Sequence, residues 1–206
     1  MFGIENLKGF TVLDVGAHIG LYSLVVSNYA HRVISVEPHP INYKLLKINK
    51  IANNVEGMLT LNAAIVGTKT DRTKLCESTH SGGSSIMIES PSKCYRIQTK
   101  HLNELIESYT GNDKVLLKMN IEGAEFDIFK SVDPNLLRSV ERIVMEVHLR
   151  YGSLNIIVNK LKSAGFSVKY FYPPLTAKDA RPPYRATEHG RSEASTIRYL
   201  FHSETR

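Results

Sequence analysis

Val12-Leu13-Asp14-Val15-Gly16-Ala17-His18-Ile19-Gly20 decides the fold. An apolar run from Phe10 meets a carboxylate and a glycine, and an apolar helical pattern follows over residues 20–30. That order predicts a buried strand, a tight turn and a helix. Glycines in such a turn let the backbone approach a ligand and leave helix N–H groups facing it. The spacing is not GxGxxG, so the dinucleotide fingerprint is missing, and no GK[ST] phosphate loop follows. Asp14, just before the first glycine, would repel a pyrophosphate and suits an ammonium or sulfonium ligand.

Strand and helix patterns then alternate. Residues 32–37 read as a second strand, stopped by Pro38. Ile41, Leu45, Ile48 and Ala52 recur on one face of a helix, and residues 58–66 read as a third strand. Residues 67–99 break the rhythm. Short β-like runs at 73–77, 84–89 and 95–99, interrupted by Ser81-Gly82-Gly83 and Pro91, predict a small antiparallel excursion. Leu102, Leu105, Ile106 and Tyr109 mark a helix, 114–121 a strand, 123–130 a short helix and 141–148 a strand. Leu154, Ile157, Val158 and Leu161 mark another helix, with Gly165 as its left-handed terminator. No helical pattern separates the last strands, 166–172 and 197–201, so they are expected to be antiparallel. The connection 173–195 is long enough to be read as a functional lid.

Alternating βαβα predicts an α/β protein whose largely parallel sheet is covered on both faces. Ligands bind such sheets beyond the carboxyl ends of the strands. Those ends read Asp14-Val15-Gly16, Glu37-Pro38, Asn62-Ala63-Ala64, Asn120-Ile121-Glu122 and Glu146-Val147-His148, each with a polar or acidic group. Glu37 stands 21 residues after Gly16, where a carboxylate takes both hydroxyls of an adenosine ribose. A cationic adenosine ligand satisfies both acids, and S-adenosylmethionine is the obvious one.

Four blocks in order, residues 12–20, Val33-Ile34-Ser35-Val36-Glu37-Pro38-His39-Pro40, Leu116-Leu117-Lys118-Met119-Asn120-Ile121-Glu122-Gly123-Ala124-Glu125 and Ile143-Val144-Met145-Glu146-Val147-His148, resemble the FkbM family of class I S-adenosylmethionine-dependent methyltransferases. The resemblance covers about residues 10–165. It implies a Rossmann-like, seven-stranded, mostly parallel sheet with an antiparallel last strand and a small β insertion, in a single domain over 1–206. It implies that Asp14, Gly16, Ala17, His18 and Gly20 form the cofactor loop, and that Glu37, with Pro38 behind it, binds the ribose. Asn62 and Ala63 would flank adenine, and Asn120 and Glu122 would border the methyl group. The family more often carries Asp at the place of Asn120, and an amide cannot be a strong base.

A hydroxyl acceptor needs a base for its departing proton. His148 is the first candidate, because imidazole titrates near neutrality, and Glu122 is the second. Glu125 reads instead as a first-turn carboxylate on a helix dipole, and Lys118 as the partner of a nearby acid. A structural, hydrogen-bonded His148 is weighed equally with the base. No metal ligand set is assigned.

Over 206 residues, 42% hydrophobic and 22% charged, the chain can bury a core. Its formal charge of +6 tolerates anionic partners without a block of like charges. With no signal-like start and no membrane-length apolar run, a cytoplasmic protein is expected. Cys76 and Cys94 lack a CxxC arrangement; two free thiols are the first reading in that compartment, and a single bridge between them is the alternative. The expected reaction is O-methylation of a sugar, glycolipid or secondary metabolite. The alternatives are an RNA methyltransferase, motivated by the charge and by Arg181, Arg185, Arg191 and Tyr184, or a cofactor-binding module without turnover. A small-molecule or glycan acceptor and a homodimer are the expected partners.

Overall fold

Phe10–Val15 (β1) buries all six of its residues, as a central parallel strand covered on both faces must. The computed structural model describes residues 6–67, 71–77, 84–85, 93–171 and 196–203. After β1 come Leu21–Val26 (α1), Arg32–Val36 (β2), Pro40–Ala52 (α2) and Met58–Leu61 (β3). Ala64–Val66 (β4), Arg72–Glu77 (β5), Ser84–Ser85 (β6) and Lys93–His101 (β7) follow. Then come Leu102–Tyr109 (α3), Lys114–Met119 (β8), Glu125–Ser131 (α4), Pro134–Leu137 (α5) and Val140–His148 (β9). Leu154–Ser163 (α6), Phe166–Phe171 (β10) and Thr196–Ser203 (β11) complete the order.

Seven strands form the main sheet in the order β10-β11-β9-β8-β1-β2-β3. The run from β3 to β9 is parallel, whereas β11 is antiparallel to both β9 and β10. The expected mostly parallel sheet and antiparallel last strand are therefore present. The chain leaves β1 toward β2 and later returns to β8 on its other side, so the carboxyl ends of β1 and β8 flank the switch point. One face packs Leu13, Val15, Leu117 and Met145 against Leu105, Phe129 and Leu161 of α3, α4 and α6. The other packs Val12, Val33 and Leu116 against Val26 of α1 and Leu46 of α2.

Three expectations need correction. The single strand read over 58–66 is two: β3 stays in the main sheet, the chain breaks at Asn62-Ala63, and β4 joins a second, four-stranded sheet. A continuous apolar pattern cannot show a strand changing sheets. In that second sheet β4 pairs with β7 in parallel, while β5 pairs antiparallel with β7 and β6. The free thiols are also overturned. The register sets Cys76 opposite Cys94, and the two form a disulfide with Cα atoms 4.1 Å apart. Finally, α2 is present but its apolar row is not its buried side. Ile41, Leu45 and Ile48 are exposed and Leu46 is buried.

α5 has no counterpart in the sequence reading, since four residues leave no periodicity to detect. Gly165 ends α6 with φ +93°, as expected. The whole lid region 173–195, residues 81–83 and most of the run 84–89 lie outside the described residues, as do Arg181, Tyr184, Arg185 and Arg191.

Candidate active site

The loop after β1 is bound to the end of β2. Gly16 and Ala17 both donate their N–H groups to the Val36 carbonyl, at 2.9 and 3.0 Å, and Gly20 donates to Ala17 at 2.9 Å. Gly16 has φ +77°, and a Cβ there would lie 1.9 Å from the Asn120 carbonyl oxygen. Only glycine lets the ends of β1 and β8 come this close. Asn120 in turn donates its N–H to the Val15 carbonyl at 3.0 Å.

Glu37 follows β2 and is 5% exposed. Its carboxylate is clasped by backbone: His18 N–H donates to Oε2 and His39 N–H to Oε1, each at 2.8 Å. His18 reaches it from a left-handed conformation, φ 54°. Burial raises the Glu37 carboxyl above the usual carboxylate range, against these two donors, which pull it down. The Asn62 amide donates to the carbonyls of Glu37 and Pro38 at 2.9 and 3.1 Å. Ala63 is buried beside it. The loop, Glu37-Pro38 and Asn62-Ala63 are thus one connected unit.

Asp14 lies behind this unit, fully buried. Ser35 Oγ donates to Ser23 Oγ at 2.7 Å, and Ser23 Oγ donates to Asp14 Oδ2 at 2.5 Å. Lys118 Nζ makes an ion pair with Asp14 Oδ1 at 2.8 Å and donates to the Gly16 carbonyl at 2.9 Å. The pairing expected for Lys118 is present. Burial and then the Asp14 charge push the Tyr22 phenol well above its usual value. A cavity of about 240 Å³ opens here, lined by Tyr22, Lys118, Asn120, Val144 and Glu146. Asn120 Oδ1 is buried, with no hydrogen-bond partner among the described residues.

The ends of β8 and β9 converge on His148. Its Nδ1 lies 2.9 Å from Glu125 Oε1 and its Nε2 lies 3.4 Å from Glu122 Oε2. Arg150 stands 3.9 Å from the same Glu122 oxygen. Glu122 is left-handed at φ 54°, a strained position for a residue with a side chain. Gly123 follows at φ +111°, where a Cβ would collide with the Tyr151 ring at 2.2 Å. Burial drives the imidazole down. The hydrogen bond and charge of Glu125, with the charges of Glu122 and Glu146, outweigh it and hold His148 above its ordinary value. A carboxylate only accepts, so Glu125 fixes one proton on Nδ1, and Nε2, facing the Glu122 carboxylate, is the nitrogen that gains and loses the second.

The structure brings Asp14, Gly16, Ala17, His18, Gly20, Glu37, Pro38, Asn62, Ala63 and Asn120 around the switch point, with Glu122 and His148 beside it. Glu125 opens α4, in the first turn where the sequence placed it, but its full burial and its pairing with His148 were not foreseen. Its position three residues after Glu122, against a strand ending in His148, was the available signal. Sequence reasoning also missed Ser23 and Ser35, whose hydroxyls look unremarkable until β1, α1 and β2 are assembled.

The model of the methyltransferase FkbM domain matches residues 14–168. Methyltransferase sdnD of Sordaria araneosa is 25% identical over 210 residues, covering 81% of this chain and 78% of that protein. The 31-O-demethyl-FK506 methyltransferase FkbM of Streptomyces tacrolimicus is 24% identical over 207 residues, covering 85% and 79%. The crystal structure of methyltransferase FkbM from Methylobacillus flagellatus superposes with a TM-score of 0.53 at 15% identity, over 95% of this chain and 45% of that one. The fold is that of a class I methyltransferase.

Proposed function

The chain belongs to the methyltransferase FkbM family, and from that premise we propose that it transfers the methyl group of S-adenosylmethionine to a hydroxyl of a sugar, glycolipid or secondary metabolite. The observation that carries the cofactor is Glu37. Its two carboxylate oxygens are oriented by backbone N–H groups beside a glycine loop, which leaves lone pairs for a vicinal diol. In this reading the backbone from Gly16 to Gly20 approaches the methionine part, Glu37 holds the ribose and Asn62-Ala63 borders adenine. The buried Asn120 Oδ1 offers an acceptor near the sulfonium.

The cofactor supplies a methyl group already activated on sulfur, so the chain must supply alignment, exclusion of water and a place for the departing proton. His148 Nε2 takes that proton as the acceptor oxygen bonds to carbon. Glu125 acts through His148 as a positioning residue. With Glu122 it stabilises the imidazolium that forms, as a carboxylate does for a catalytic imidazole.

Calorimetric titration with S-adenosylmethionine and S-adenosylhomocysteine, with NAD as control, tests the cofactor half. Micromolar binding of the first two alone supports it. Absence of binding overturns it. Turnover on a panel of hydroxylated sugars and metabolites tests the acceptor half, and methylation confined to amino acceptors or RNA would overturn the hydroxyl assignment.

A further inference from the structure

The outer side of the α1–α2 layer is apolar where a helix face is normally charged. Leu21 is 66% exposed, Ile48 58% and Ile51 71%, with Val25, Tyr29, Ile41 and Leu45 also exposed. The two helices are tied together at the start of α1. Asn49 of α2 donates to the Ile19 carbonyl just before α1 at 2.8 Å, and Leu46 of α2 packs against Gly20. An apolar patch of this kind marks an interaction site.

The two helices carry no carboxylate, and the exposed Glu56 lies beyond the end of α2. Between Leu21 and Val55 the only carboxylate is Glu37, which is buried in the site already described. The cations of the same stretch are Arg32, Lys44, Lys47 and Lys50. Lys44 is three residues from Ile41 and four from Ile48, and Lys47 is four from Ile51, so ammonium groups and apolar side chains share one helix surface. Lys44 and Lys47 are exposed.

A second copy of the chain does not fit this surface. A two-fold contact would press like-charged lysines together with no carboxylate on the face to receive them. An anionic lipid surface fits both parts: lysines meet headgroups while Leu and Ile enter the acyl boundary, the arrangement of helices lying in the membrane interface. We propose that the α1–α2 face docks this protein peripherally on an anionic bilayer. No helix among the described residues is long and apolar enough to cross a membrane, so the contact is one of surface adsorption. The inference stands apart from the methyl-transfer reading.

The test is flotation of the full chain with vesicles of phosphatidylcholine alone and of equimolar phosphatidylcholine and phosphatidylglycerol. Binding is expected to the anionic vesicles only, falling with added salt. Replacing Lys44, Lys47 and Lys50 with Gln should weaken partitioning about fivefold per lysine. Ile48→Asp should abolish binding while leaving the circular dichroism spectrum unchanged. Three results would overturn the proposal: no binding to anionic vesicles at low salt, equal binding by Ile48→Asp, or a dimer in sedimentation analysis that Ile48→Asp dissolves. Salt-sensitive RNA binding lost in the lysine variant but kept by Ile48→Asp, without vesicle binding, would assign the face to nucleic acid instead.

Discussion

Lys118 and Asp14 stand opposite each other on the paired strands β8 and β1, and their ammonium and carboxylate are 2.8 Å apart behind the cofactor loop. Because Lys118 also holds the Gly16 carbonyl, one side chain joins the first acid of the motif to the loop that follows it. Asp14 therefore neutralises a lysine inside the fold, and its charge reaches the loop through that lysine.

Lys118→Met should leave Asp14 as an uncompensated buried charge. A loss of about 3–5 kcal/mol is expected, read by chemical denaturation. The double variant Asp14→Asn/Lys118→Met should recover much of it, since removing both partners relieves the desolvation that one alone leaves. Equal stability of Lys118→Met and the parent would mean that the pair contributes nothing to the fold.

Glu37→Ala should weaken S-adenosylmethionine binding by about 2–3 kcal/mol, the loss of one or two charge-assisted hydrogen bonds. The pH dependence follows from burial, which raises this carboxyl above the usual range. Ribose binding uses the ionised form, so affinity should fall as the pH drops through the raised value, at a higher pH than for an exposed glutamate. Calorimetry across acid pH checks both effects, and an unchanged dissociation constant in Glu37→Ala would remove the ribose role.

The strand ends were legible because a parallel sheet forces apolar runs to end in polar residues at one edge, and Asp14, Glu37, Asn120 and His148 each closed such a run. What depends on packing across elements was not. The α2 pattern located the helix, but a row of Ile41, Leu45 and Ile48 looks the same whether it faces a sheet or solvent. The first-turn place of Glu125 was legible, but its burial was not, because that depends on where β9 ends. Cys76 and Cys94 carry no spacing signal, and only the β5–β7 register brings them together.

Glu125 gives His148 a pH signature that a merely structural carboxylate would lack. The imidazole is held above its ordinary value, and the base is its neutral form, so kcat/KM should rise with pH through that raised value. Glu125→Gln removes the strongest opposing influence to burial and should move the rising limb to lower pH, with a lower plateau. Stability is linked with the opposite slope. A folded-state value above that of the unfolded chain stabilises below the unfolded value of about 6.5. This contribution is lost as pH rises through the folded value, and Glu125→Gln should flatten that loss. A pH profile identical in parent and variant would sink the coupling.

The Cys76–Cys94 bridge supports the second sheet, and its loss should be felt there first. It joins residues 18 apart in sequence, a closure worth about 3 kcal/mol in the chain-entropy account. Glu77, next to Cys76, lies 3.0 Å from His39 Nε2 and accepts from the Tyr95 hydroxyl at 2.8 Å, next to Cys94. The His39 ring also meets the Tyr95 ring edge-on at 4.9 Å. The backbone of His39 is one of the two donors on Glu37, so His39 links the ribbon to the site. Reduction, or Cys76→Ser with Cys94→Ser, should lower Tm and speed amide exchange in β5 and β7 while β1 and β8 stay protected. The same treatment should weaken S-adenosylmethionine binding less than Glu37→Ala does, because the carboxylate and its His18 donor remain. Uniform loss of protection across both sheets would show instead that the bridge supports the whole fold.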